Sequence, residues 1–168
     1  MSSLGLSGTP QPSIANVVEQ KLRAERVVKS GAGWFITIAA LSMVNSVLSM
    51  SGAHIRFIFG LGIAEFVDGL AHQAGQTGFA LDLVINGFVA GVFVLFWNFA
   101  RKGERWAFIA GTALYIADAL VSLYFQDMLA VAFHAYGVYR IYTGISGIAA
   151  LQEAQRAMTP AGAPIQPV

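Results

Sequence analysis

The chain contains no cysteine, which removes disulfides, thiolate chemistry and cysteine-ligated zinc or iron–sulfur sites from its repertoire. Charge is scarce as well. Only 11% of the 168 residues are Asp, Glu, Lys or Arg, against about 25% in soluble domains. A formal net charge of +1 leaves no dense basic surface interleaved with aromatics, so nucleic acid is not an expected partner. No Walker loop, dinucleotide fingerprint, selectivity-filter sequence or internal repeat is present, which argues against phosphate-cofactor chemistry. A serine nucleophile is poorly supported. Ser122 and Ser146 lie in helical patterns without an elbow, and Ser49 and Ser51 near His54 form at best a weak Ser/His pair.

Apolar residues are plentiful: 56% of the chain is hydrophobic, with 18 Gly and 12 Phe. This composition predicts an all-α integral membrane protein. Met1 to Ser13, rich in Ser, Gly and Pro, has neither the basic nor the apolar region of a signal peptide. From Val17 to Lys29 charged and apolar residues alternate, which predicts a short interfacial helix leading into the first span. Residues 1–29 therefore read as a tail plus interfacial helix, 30–152 as the transmembrane domain, and 153–168 as a carboxy-terminal tail.

Four stretches are long enough to cross a bilayer, which takes about 20 residues: Ala32 to Met50, Ala80 to Ala100, Trp106 to Phe125 and Met128 to Leu151. A fifth, Ile55 to His72, is apolar but carries Arg56, Glu65, Asp68 and His72. With a helical repeat of about 100° per residue, His54, Glu65, Asp68 and His72 share one face of it. Basic residues favour the cytoplasmic side. If 55–72 lies in one leaflet, both termini are cytoplasmic, and Lys21, Arg23, Arg26, Lys29, Arg101, Lys102, Arg105 and Arg156 all fall on that side. Trp34, Trp97 and Trp106 then mark the same interface. The expected fold is a four-helix transmembrane bundle with one additional short re-entrant or interfacial helix. A five-span bundle is the rival.

Depth along these spans groups the polar residues. Asp82, Asn86, Asp118, His134 and Asn45 all approach the level of the 55–72 helix in the four-span arrangement. Ionisable groups at such depths face a protein interior or water and mark functional sites. Imidazole and carboxylate are good ligands for zinc, manganese or iron, which polarise substrates and acidify bound water. The expected metal ligands are Asp68, His72, Asp118 and His134, with Glu65 as the base and Asp82 shaping the entrance. The order and spacing match neither HExxH nor the paired ExxH elements of di-iron bundles.

These residues suggest a membrane-embedded metal site, in its concrete form a metal-dependent hydrolase acting on a lipid-like substrate near the outer face. A small proton-coupled carrier using the buried acids and histidines is the alternative, beside a structural membrane subunit. Haem held by His72 and His134 is the lesser cofactor option. Arg140 offers a competing use for the acids, as the cation compensating Asp118 or Glu65. Gly87 with Gly91, and Gly137, Gly144 and Gly147, provide small-residue surfaces for helix packing or a homo-oligomer. Membrane lipids are the remaining expected partner.

Overall fold

Runs of Ala, Leu, Ile, Val and Phe with no internal proline favour long helices, and the computed structural model contains them. It describes residues 13–50 and 76–159, with side chains at 13–48 and 83–159. Four α-helices lie among the described residues: α1 Ile14–Met50, α2 Gln76–Ala100, α3 Arg105–Tyr124 and α4 Met128–Met158. Three stretches, Ile14–Leu48, Leu83–Ala100 and Arg105–Tyr124, are long and apolar enough to cross a membrane. The fourth expected span, Met128 to Leu151, is not among the three: α4 carries His134, Arg140 and the tyrosines at 136, 139 and 142 and extends to a polar end.

The expected interfacial helix is not a separate element. Residues 17–29 belong to α1, whose 37 residues extend about 55 Å at 1.5 Å per residue. The physical reason is packing: Val17, Ala24 and Val28 are buried on the same side of α1 as Ala32 and Phe35. One apolar stripe thus runs through the amphipathic and the wholly apolar parts, and no proline separates them; Gly31 and Gly33 at the junction are held in the helix by this packing.

Each helix packs against two neighbours in a closed circuit, α1 between α4 and α2, and α3 between α4 and α2. The antiparallel register is read from side chains. Gly31 lies against Gly144, Phe35 faces Phe93, Phe93 faces Tyr115, and Phe99 faces Trp106. The start of α1, the α2–α3 turn and the end of α4 consequently share one end of the bundle. There α1 and α4 run on past the turn, where Leu151 approaches Gly103.

Both turns have identifiable stop signals. After α2, Gly103 adopts φ 90°, and the amides of Lys102 and Gly103 donate to the carbonyls of Phe99 and Ala100, the left-handed ending that glycine permits. After α3 the same role falls to Gln126 at φ 60°, followed by Asp127, whose Oδ1 accepts the Ala130 amide at 2.9 Å to cap α4.

Glycines set the close approaches. A Cβ at Gly144 would lie 2.8 Å from the Gly31 Cα and 3.0 Å from the Phe108 ring, so α1 and α4 meet backbone to backbone. Gly111 receives the Phe35 ring, and Gly137 receives the indole nitrogen of Trp34. The small pair Gly87 and Gly91 behaves differently: nothing lies within 4 Å of a Cβ at either position. It therefore packs against no other helix within this chain among the described residues.

Outward faces of α2 and α3 carry Leu83, Val84, Phe88, Leu95, Ile109, Ile116 and Leu120 exposed, while Asn45, Asn86, Asp118 and His134 are buried. Apolar outside and ionisable inside is the reverse of a water-soluble surface. It is consistent with a membrane protein.

Candidate functional site

The buried polar groups are not scattered through the bundle. Ser42, Asn45 and Ser46 lie on α1, Asn86 on α2, Asp118 and Ser122 on α3, and His134 on α4. The helix register brings them into the half of the bundle near the α3–α4 turn. The opposite half is packed by Phe35, Phe93, Phe96 and Phe108. Every helix of the circuit thus contributes at least one polar side chain to this half of the bundle.

Local sequence explains the placement. Tyr115, Asp118 and Ser122 are spaced three and four residues apart, so α3 presents all three on its buried face. On α4 the same buried side carries Ala130, His134, Gly137 and Ile141. Asp118 therefore meets His134 across the α3–α4 interface. Oδ2 of the carboxyl lies 2.7 Å from Nε2 of the imidazole, with the two side chains 5% and 1% exposed.

The second imidazole nitrogen is also engaged: Nδ1 lies 2.7 Å from the Ala130 carbonyl oxygen. A carbonyl only accepts, so Nδ1 carries a hydrogen and donates it. The Nε2 to Oδ2 contact then needs a proton of its own, borne by the ring or by the carboxyl. With that proton the pair is neutral in sum, as imidazolium with carboxylate or as imidazole with carboxylic acid. Without it, two lone pairs would face each other at hydrogen-bond distance in a buried site.

Aromatic packing holds the imidazole in place. The Tyr115 ring stacks on it with centroids 4.5 Å apart and an interplanar angle of 26°, and Phe93 meets the far side of the cluster edge-on to Tyr115. The Tyr115 hydroxyl and the Ser42 hydroxyl are buried without a hydrogen-bond partner among the described residues. One helix further round, Asn86 Nδ2 donates to Ser46 Oγ at 2.8 Å, a bond between α1 and α2. Ser122 Oγ returns to the carbonyl of Asp118 at 3.4 Å.

Of the expected metal ligands, the structure brings Asp118 and His134 together. Asp68 and His72 lie outside the described residues, as do Glu65 and His54. Asp82 belongs to α2, but its side chain is outside the described set. Among the described residues no group of three or more His, Cys, Asp or Glu is placed to hold a metal ion. Arg140 does not compensate Asp118: its Nη2 donates to Ser30 Oγ at 3.2 Å on α1. The register explains this, because Arg140 lies nearly two turns beyond His134 towards the basic end.

Tyr115 as the stacking partner of His134 was legible only as one tyrosine among several. Its spacing of three from Asp118 was the available signal. Comparison of the chain with protein-family models, with curated proteins and with solved structures finds no match.

Proposed function

We propose that the protein is an integral membrane bundle crossing the bilayer four times, with both termini cytoplasmic, and that its Asp118–His134 pair binds a proton whose movement is coupled to passage of a small solute. The carrying observation is the engagement of both imidazole nitrogens, one by a carbonyl that only accepts and the other by the carboxyl. The inside-out surface supports the membrane setting. So does the gathering of the basic residues of α1, of the α2–α3 turn and of the α4 terminus at one end of the bundle.

The chemistry follows from the contact. Protonated, the pair is neutral and tolerated in a dry layer. Deprotonated, it holds a net negative charge with lone pairs opposed, and α3 and α4 must separate there or admit a cation. Proton binding thereby biases the α3–α4 contact between two packings, which is what coupling requires.

The test is reconstitution of the full chain in liposomes carrying an internal pH dye, followed by an imposed pH gradient with a panel of small solutes added in turn. Wild type is expected to speed collapse of the gradient. Asp118→Asn and His134→Gln, checked for helix content, are expected to behave as empty liposomes. Wild-type rates in both variants would defeat the proposal.

A second reading rests on the same juxtaposition. A carboxylate beside an imidazole is also half of a metal site, and Asp68 and His72 would complete it for zinc, manganese or iron in a hydrolase with Glu65 as base. Stoichiometric metal in protein purified without chelator, lost in His134→Ala, is its expected signature.

A further inference from the structure

On the seam between α1 and α4, away from the polar half of the bundle, two buried hydrogen-bond donors have no acceptor among the described residues: Nε1 of Trp34 and Nε of Arg140. They lie one helical turn apart. Trp34 seats its indole nitrogen on Gly137, and Arg140 reaches Ser30 across the seam. Among the described residues no ion pair involves Arg140, the three present being Lys21–Glu25, Lys29–Glu25 and His134–Asp118. A guanidinium always carries its charge, and burying one of its N–H groups unpaired is costly. The guanidinium is only partly buried and meets Ser30 at the exposed edge of the seam, so it is placed to take an anion there.

Its position indicates where that anion comes from. Gly144 is level with Phe108 and Gly137 with Tyr115, so Arg140 stands near Gly111 and Thr112, about 10 Å along α3 from Arg105 at 1.5 Å per residue. The end it points towards carries the basic turn residues. Arg101 lies over the Trp97 ring at 4.4 Å and Lys102 over Phe99 at 5.5 Å. A tryptophan with cations stacked on it is characteristic of the headgroup level. Arginines slightly deeper than this level reach back to it along their apolar stems.

We infer that the α1–α4 seam binds one anionic phospholipid of the cytoplasmic leaflet, its phosphate held by Arg140 Nη2 and Ser30 Oγ at the exposed edge of the seam and its acyl ester lying against the Trp34–Tyr136 ring pair. The order of these groups matches the lipid. Arg140 and Ser30 lie nearer the basic end, where the phosphate sits, and Trp34 lies deeper, where the acyl ester begins. Tyr136, half exposed and edge-on to Trp34 with ring centroids 5.3 Å apart, provides an aromatic wall beside the chain. The inference rests on the membrane placement proposed above, but not on the proton chemistry.

The experiment uses the full chain with Trp97→Phe and Trp106→Phe, leaving Trp34 as the sole fluorophore, in vesicles of phosphatidylcholine with increasing brominated phosphatidylglycerol or brominated phosphatidylcholine. Bromine quenches an indole it touches. The anionic lipid is expected to quench Trp34 at about five-fold lower mole fraction, the ratio that roughly 1 kcal/mol per basic contact implies. Arg140→Gln is expected to erase the preference and Arg140→Lys to keep part of it. Replacing Arg101 and Lys102 by Gln leaves it intact.

Equal quenching by both lipids would overturn the inference, as would a preference that survives Arg140→Gln and disappears with the turn residues. If inorganic phosphate in phosphatidylcholine vesicles shifts Trp34 emission as much as the anionic lipid does, the ligand is a soluble phosphate and the lipid assignment falls. Release of the chain from vesicles at alkaline pH would overturn the membrane placement itself. An inserted chain without lipid preference overturns only this inference.

Discussion

The two halves of this bundle are built on opposite rules. Towards the α2–α3 turn, Phe35 lies against Phe93, Phe96 and Phe108, and Gly31, Gly111 and Gly144 admit rings and backbone at contact distance. Towards the α3–α4 turn, hydroxyl, amide, carboxyl and imidazole groups replace the rings, joined in pairs across helices. The first half is held mainly by shape, with the Arg140–Ser30 hydrogen bond at its outer edge. The second is held by polar pairs that fail if one partner is lost, and such pairs are where a helical bundle acquires states other than its resting one.

The sharpest way to break that contrast is at the ion-pairing position. His134→Ala leaves the Asp118 carboxyl buried opposite a void, and a loss of about 3–5 kcal/mol is expected in reversible unfolding followed by helical signal in mixed micelles. Replacing both members with apolar residues of similar size, Asp118→Leu with His134→Met, is expected to restore most of that stability while abolishing proton movement. If the double variant is as unstable as the single one, the layer is held by more than the pair.

In the aromatic half the expected failure is steric. Gly144→Ala drives a Cβ into the Gly31 backbone, which has no side chain to move aside, and a cost of about 1–3 kcal/mol is expected. Gly91→Ala is the control. With nothing within 4 Å of the new Cβ, it is expected to be neutral or to stabilise α2 by up to about 1 kcal/mol through helix propensity. Equal effects at both positions would contradict the backbone contact between α1 and α4.

The smallest effect lies at the edge of the polar layer. Ser46→Ala removes the acceptor of the Asn86 amide, and about 0.6 kcal/mol is expected, the usual scale of an interhelical hydrogen bond in a membrane protein. The same unfolding assay measures it. A loss as large as that of His134→Ala would mean that Ser46 and the ionisable pair form one network.

Much of this architecture was legible in the chain. Apolar runs ending at Ala100 and at Phe125 marked the helices, because helix length and hydrophobicity are local properties. Depth counting grouped Asp118 with His134, since a rise of 1.5 Å per residue converts sequence position into height. Height alone does not choose partners, and Arg140 shows the limit. It was an equally plausible cation for Asp118 until the register set it against Ser30.

What the sequence by itself determined is the presence of long apolar helices, the scarcity of charge and the common level of Asp118 and His134. Tertiary structure alone decided that α1 continues unbroken through the amphipathic segment, because that choice depends on a stripe shared with α4. It alone decided that Gly137 and Gly144 are packing glycines whereas Gly87 and Gly91 open outward. Likewise it set Nε2 of His134 against Asp118 on α3. The physical reason is common to all three: rotation of a helix about its axis is set by the neighbours it packs against, and composition carries no record of which neighbour arrives.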